Sequence, residues 1–385
     1  ANKSNFTICG EGLSASCIKS STGSKVIQVA SSCSNVMIRD ICCDGNCTVR
    51  NSQHAVTVDS SYTHIRNLRV INSGEFSITC GSNAAVVDLT IEGCVVQSGF
   101  ADGINIQDCA NVLVSGNLVD GTADDCIAIG YRASQGGGVA NGVVVSNNIC
   151  IGRNLEGIHT GRGILVLRAS NIQVIGNLIK DTQQDGLLIT TDSTSVRPSN
   201  ILVFGNTIRN AAIYSGDALS VFFSSNTNIA FNKIFNPARG NAIELCDWQN
   251  LTISNNDVTS NIDAYFRAVH ATESSAVQGL SVSSPFNGLK FVNNTVSLLS
   301  SGGSTLYNEC VRINPGGANR WRHDNTIIAG NTCYQANGNS SSLYIDLDYA
   351  GSSGVAKILN NTCAQTRAIG TGGNNLLTPI TVNNN

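Results

Sequence analysis

Charge is scarce in this sequence. Acidic and basic residues make up 13% of its 385 positions, and 26 acidic against 23 basic side chains leave a formal charge of −3. That is half the usual globular share of about 25%. With no basic run, a nucleic acid partner is not expected. Apolar runs are short as well. None approaches the ~20 residues that span a bilayer, so membrane insertion is not expected either. The helix-favouring vocabulary is thin, with a single Met, and only 5 Pro interrupt the chain. There is no nucleotide-binding glycine loop and no H-E-x-x-H helix. No signal peptide opens the chain, as expected of a mature or trimmed product.

What is plentiful is Asn, at 46 positions, with 38 Gly and 42% hydrophobic residues. Such a chain can bury a large core, and it favours short β-strands joined by Asn and Gly turns. Its 15 Cys are an odd number, leaving at least one unpaired. Some are expected as small buried hydrophobes and others as disulfides of an extracellular protein. Cys42-Cys43-x3-Cys47 has no matching His or Cys pair at zinc spacing, so buried or disulfide cysteine is the reading there. Neither a metal nor a cofactor is expected.

A repeat organises the chain. The phrase V-x-V-x-(G/N)-N-x-(V/I/C) recurs from Val112, Val143, Ile172, Ile201, Leu251, Leu289, Thr326 and Ala356, with a degenerate copy from Thr227. Its aligned residues are Asn117, Asn148, Asn177, Asn206, Asn232, Asn256, Asn294, Asn331 and Asn361, between 24 and 38 positions apart. Alternating apolar residues inside each copy mark strands. The expected fold is therefore all-β, a single-stranded right-handed parallel β-helix, or solenoid, with coils of roughly 30 residues. An inward Asn repeated at one corner can donate to the coil above and accept from the coil below. Cys150, Cys333 and Cys363 stand where other copies have Val or Ile. The β-helix is expected over 1–369, with its N-terminal cap upstream of residue 1 or supplied by a partner. Residues 370–385 lack a strand phrase and are expected as a C-terminal tail or cover.

A second phrase, x-G-I-x-I, precedes the first: Asp102-Gly103-Ile104-Asn105-Ile106, then Asp125-Cys126-Ile127-Ala128-Ile129, then Arg162-Gly163-Ile164 and Asp185-Gly186-Leu187. Surplus residues place loops around 131–140, 153–161 and 190–198, the walls of a groove. Coils stack about 4.8 Å apart, so Asp102 and Asp125 become neighbours, with Asp124 beside them. Crowded carboxylates separate their pKa values, leaving one to hold a proton and one to give up its own. Cleaving a glycosidic bond needs that division. Asp-Gly and Asp-Asp are also ordinary turn residues, and Asp185 and Asp217 read mainly as such.

Phe100-Ala101-Asp102-Gly103-Ile104-Asn105-Ile106 and Ala123-Asp124-Asp125-Cys126-Ile127-Ala128-Ile129 resemble the N-T-D-G-I-D-I and G-D-D-C-I-A-I motifs of polygalacturonases, in the pectate lyase/polygalacturonase-like superfamily. The resemblance implies a glycoside hydrolase acting on pectin-like, uronate-containing glycan by inversion. Asp102, Asp124 and Asp125 would be its catalytic carboxylates, and Cys126 and Cys150 a disulfide. The match then departs. Where the family has G-H-G this chain has Arg162, with His159 nearest, and the family's R-I-K falls near Leu188-Ile189-Thr190. His159, Arg162, Asp185 and Arg132 are the candidate substrate contacts, within a stretch of cations between 130 and 210.

The leading expectation is a secreted or virion- or cell-surface polysaccharide hydrolase, a monomer or homotrimer, binding its substrate in a groove. A phage tailspike-like depolymerase, a polysaccharide lyase or C5-epimerase, and a non-catalytic glycan-binding or structural β-helix stay open beside it.

Overall fold

A computed structural model describes residues 4–21, 25–130, 139–152, 160–193, 196–238, 240–261, 266–272, 276–277, 280–281, 287–299, 308–314, 326–335, 343–346, 356–363, 366–369 and 381–382. The chain forms two compact units, 1–187 and 188–385. Each is a parallel β-solenoid, and the described residues contain no helix. Coils recur about 27 residues apart. That is shorter than the sequence spacing suggests, because the early coils are small. Ile38, Ile65, Ile91 and Val114 stack in register and are separated by 27, 26 and 23 positions.

In unit 1 the phrase-bearing strands Cys109–Ser115, Asn141–Ser146 and Ser170–Ile175 pair in parallel. Val112, Val143 and Ile172 fall in one buried column, with Val114, Val145 and Val174 in the next. The second phrase forms Ile104–Ile106, Ile127–Ile129 and Ile164–Leu167, continuing Ile78–Cys80 and Val56–Val58. Ile104, Ile127 and Ile164 are wholly buried. Each such side chain contributes about 1.5–3 kcal/mol relative to exposure, so every coil carries several buried aliphatics to offset its ordering entropy.

The corner asparagines form the expected ladder. Asn117 Nδ2 donates to Asn148 Oδ1 at 2.9 Å, and Asn148 Nδ2 to Asn177 Oδ1 at 3.0 Å. Each receiving oxygen also accepts the backbone N–H of the donor residue, and each Nδ2 donates again to a carbonyl, that of Val114 for Asn148. The amide thus satisfies buried groups that strand pairing leaves over at the corner. Unit 2 repeats the device from Asn206 through Asn232, Asn256, Asn294 and Asn331 to Asn361, at 2.8–3.0 Å per step. The position before each of these asparagines has positive φ, for example 65° at Gly116 and 55° at Asn147, which accounts for the (G/N)-N dipeptide.

Inside the stretch expected as a C-terminal tail or cover, Thr381–Val382 pairs in parallel with Lys357 and Ile358. One expectation is revised. The fourteen cysteines from Cys9 to Cys333 are all thiols, so the disulfide that the resemblance implied between Cys126 and Cys150 is not formed. These two side chains meet as hydrogen-bonded thiols, and that contact with burial raises the Cys150 pKa. Cys150 does fill an aliphatic slot, in register with Val119 and Ile179 and fully buried.

Candidate functional site

Asp102 and Asp125 stand immediately before Ile104–Ile106 and Ile127–Ile129, strands paired residue for residue. Between them the backbone is tied tightly. Gly103 N–H donates to the Asp125 carbonyl at 2.9 Å, and Asp125 N–H donates to Asp102 Oδ1 at 3.2 Å. A Cβ at residue 103 would stand 2.4 Å from Val119 Cγ1 and 2.6 Å from the Cys126 carbonyl oxygen. The Asp-Gly pair is therefore a packing requirement as well as a turn signal: only glycine lets the two coils approach.

Asp102, Asp124 and Asp125 each offer an oxygen within 4.8 Å of the others. They line a cavity of about 180 Å³ in unit 1, together with Arg162, Asn105, Arg50 and Glu75. Asp102 and Asp125 are only 5% and 4% exposed, whereas the Asp124 side chain is 32% exposed. Asn105, three residues beyond Asp102 in the Ile104–Ile106 strand, donates from Nδ2 to Asp102 Oδ2 at 2.6 Å. Such an oxygen trio is also a donor set for a cation, but Arg162 already brings a positive charge to it.

Arg162 comes from the next coil. Its Nη1 lies 3.2 Å from Asp125 Oδ1 and 3.5 Å from Asp124 Oδ1, and its Nε lies 3.7 Å from Asp185 Oδ2. Burial opposes its charge, but the carboxylates outweigh that and raise its pKa. The acids shift upward too. Burial, then the charges of Asp125 and Asp124, push Asp102 well above the usual carboxylate range, against the hydrogen bond from Asn105. Burial and the Asp124 charge push Asp125 up to about 7, with Arg162 restraining the rise. Glu75 is also raised, by burial. The cluster can therefore hold protons near neutrality, as acid–base chemistry requires.

Of the residues singled out from sequence, the structure brings together Asp102, Asp124, Asp125 and Arg162. Asp185 is buried behind Arg162 and sets its guanidinium. Arg132 and His159 lie outside the described residues, as do most of the loops at 131–140 and 153–161. Two other cations of the 130–210 stretch are committed elsewhere: Lys180 lies 3.9 Å from Asp181, and in unit 2 Arg197 grips buried Asp247 at 2.7 and 2.9 Å. Sequence reasoning missed Arg50, Glu75 and Asn105. Asn105 was visible as the polar residue inside an otherwise apolar I-x-I phrase, while Arg50 and Glu75 sit in coils whose phrases are degenerate.

Residues 27–201 and 160–313 match the family model described as a right handed beta helix region. No curated protein matches the chain. Among solved structures, the A-module of mannuronan C-5 epimerase AlgE6 from Azotobacter vinelandii is similar at 13% identity, with a TM-score of 0.55 over 98% of this chain and 87% of that one. The Streptococcus pneumoniae surface protein and adhesin PfbA is similar at 13% identity, with a TM-score of 0.54 over 90% of this chain and 91% of that one. At such identities the likeness is one of fold.

Proposed function

The chain belongs to the right-handed β-helix family, and from that premise we propose that it is a glycan-processing enzyme whose unit 1 cleaves glycosidic bonds at Asp102, Asp124 and Asp125. One observation carries the reading: three carboxylates within 4.8 Å of one another share a cavity, and two have pKa values lifted by burial and mutual charge. In this reading Asp125 holds a proton near neutrality and hands it to the departing glycosidic oxygen. Asp124, the most exposed of the three, is the ionised carboxylate that meets the incoming water or sugar carbon. Asp102, as deeply buried as Asp125 and hydrogen-bonded to Asn105 and to the Asp125 backbone N–H, holds Asp125 in place. The A-module of a mannuronan C-5 epimerase shares the fold, and the motif resemblance to polygalacturonases also points toward an acidic glycan.

A glycan panel screened for new reducing ends tests the proposal, with Asp125→Asn as the control that must be silent. A second reading, a non-catalytic glycan-binding solenoid, is favoured by the way Arg162 occupies two of the carboxylates. It predicts binding without product from every glycan, and equal binding by the Asp125→Asn variant.

A further inference from the structure

Unit 2 carries a second polar cavity, of about 710 Å³, outside the carboxylate site. Its floor is a registered column on successive parallel strands: Thr252 pairs with Lys290, Lys290 with Ile327, and Ile327 with Lys357. Lys290 and Lys357 are exposed, and neither ammonium has a hydrogen-bond or ion-pair partner among the described residues. Among the described residues the lining includes no carboxylate, so no described acid compensates the two positive charges that face the cavity. Along one rim runs a row of exposed amides, Asn250 Nδ2 donating to Asn226 Oδ1 at 3.1 Å. At the following coil the row stops at Gly288, where a Cβ would stand 2.9 Å from Asn250 Oδ1. The missing side chain leaves that edge of the row open.

From this geometry we infer that the cavity is a binding site for a carboxylated polysaccharide, a non-catalytic anchor in unit 2. The two ammonium groups stand two coils apart, roughly 9.6 Å at the usual strand spacing. A linear glycan lying along the column can present acid groups to both lysines in turn. Its hydroxyls meet Asn226, Asn250 and Thr252, and its apolar ring face crosses Ile327 between the charges. Small amides, a hydroxyl, an apolar step and paired cations make a surface suited to a sugar acid, whereas a neutral glycan would leave both ammonium groups unanswered. The choice of a glycan as ligand rests on the reading of the protein given above; the charge and spacing of the site do not.

Calorimetric titration of the full chain with oligomers of a polyuronate, of the matching neutral sugar and of a sulfated glycan tests it. The polyuronate is expected to bind, more weakly as salt rises, and the neutral oligomer at least roughly tenfold less tightly. Lys290→Glu/Lys357→Glu should weaken polyuronate binding by roughly tenfold or more, and Lys290→Arg/Lys357→Arg should retain it. Both pairs are exposed, and circular dichroism of each variant establishes that it folds. Unchanged affinity in the Glu variant, equal binding of the neutral oligomer, or binding of the sulfated glycan alone each overturns the inference. Turnover that survives Asp125→Asn would instead sink the unit 1 assignment and leave the titration standing.

Discussion

Arg162 reaches back across one coil to place its Nη1 3.2 Å from Asp125 Oδ1, while Asp185 backs it from the following coil at 3.7 Å. One guanidinium thus divides its charge among carboxylates of the two coils that flank its own. It stands where the polygalacturonase motif has a histidine, so this site is tuned by a permanent cation, not by a titrating one.

Replacing Asp125 by Asn should abolish turnover, by at least about a hundredfold, the usual yield of a positioned proton donor. The fold should survive, since the amide keeps the shape and Arg162 retains Asp124 and Asp185. Reducing-end release and the circular dichroism spectrum, recorded on the same preparation, check both halves.

The pH dependence of stability follows from the same residue. Unfolded, Asp125 titrates near 3.8; folded, near 7. Below 3.8 both states hold the proton and the site imposes no electrostatic penalty. Between 3.8 and 7 the folded chain binds more protons than the unfolded one, so stability falls as pH rises. Thermal midpoints of wild type and Asp125→Asn should therefore diverge across that window, the variant gaining relative to wild type. Activity should fall above pH about 7 as the donor is lost; a rate that climbs through pH 8 would contradict the assignment of Asp125 as the acid.

Arg162→Met should cost on the order of 3 kcal/mol, because it leaves several carboxylates buried without their cation. It should also push Asp125 further up, moving the alkaline limb of any activity profile to higher pH. Chemical denaturation and a pH–rate profile measure the two effects separately. Loss of stability with no movement of the limb would make Arg162 a strut only.

For the ladder, Asn148→Ala should destabilise by on the order of 3 kcal/mol. It strands the backbone N–H of Asn117 and removes the donor to the Val114 carbonyl, both buried. Asn141→Ala deletes an exposed amide that accepts from Asn171 at 2.7 Å, and should change stability by no more than about 0.5 kcal/mol. Urea midpoints for the pair decide whether burial, and not the amide as such, gives the ladder its strength.

Much of this architecture was legible in the sequence because a stacked coil writes its geometry as repetition. Asn117, Asn148 and Asn177 could be aligned before any coordinate was known, and aligning Asp102 with Asp125 placed them as neighbours through Ile104 and Ile127. The depth of the carboxylates was not legible. Asp102 and Asp125 line the cavity yet are almost wholly buried, and nothing in their own phrases records that. Arg162 read as a contact for substrate, yet its partners are the acids themselves, which only the third dimension reveals. Thr381–Val382 escaped notice for a simpler reason: two residues are too few to show a period.

The side-chain amides at the corner of unit 1 all point the same way, nitrogen toward the later coil and oxygen toward the earlier one. Their dipoles align head to tail like spins in a magnet, and reversing one would set oxygen against oxygen on one side and nitrogen against nitrogen on the other. Any coil that orders first therefore dictates the orientation of the next, giving the stack a built-in arrow for its assembly.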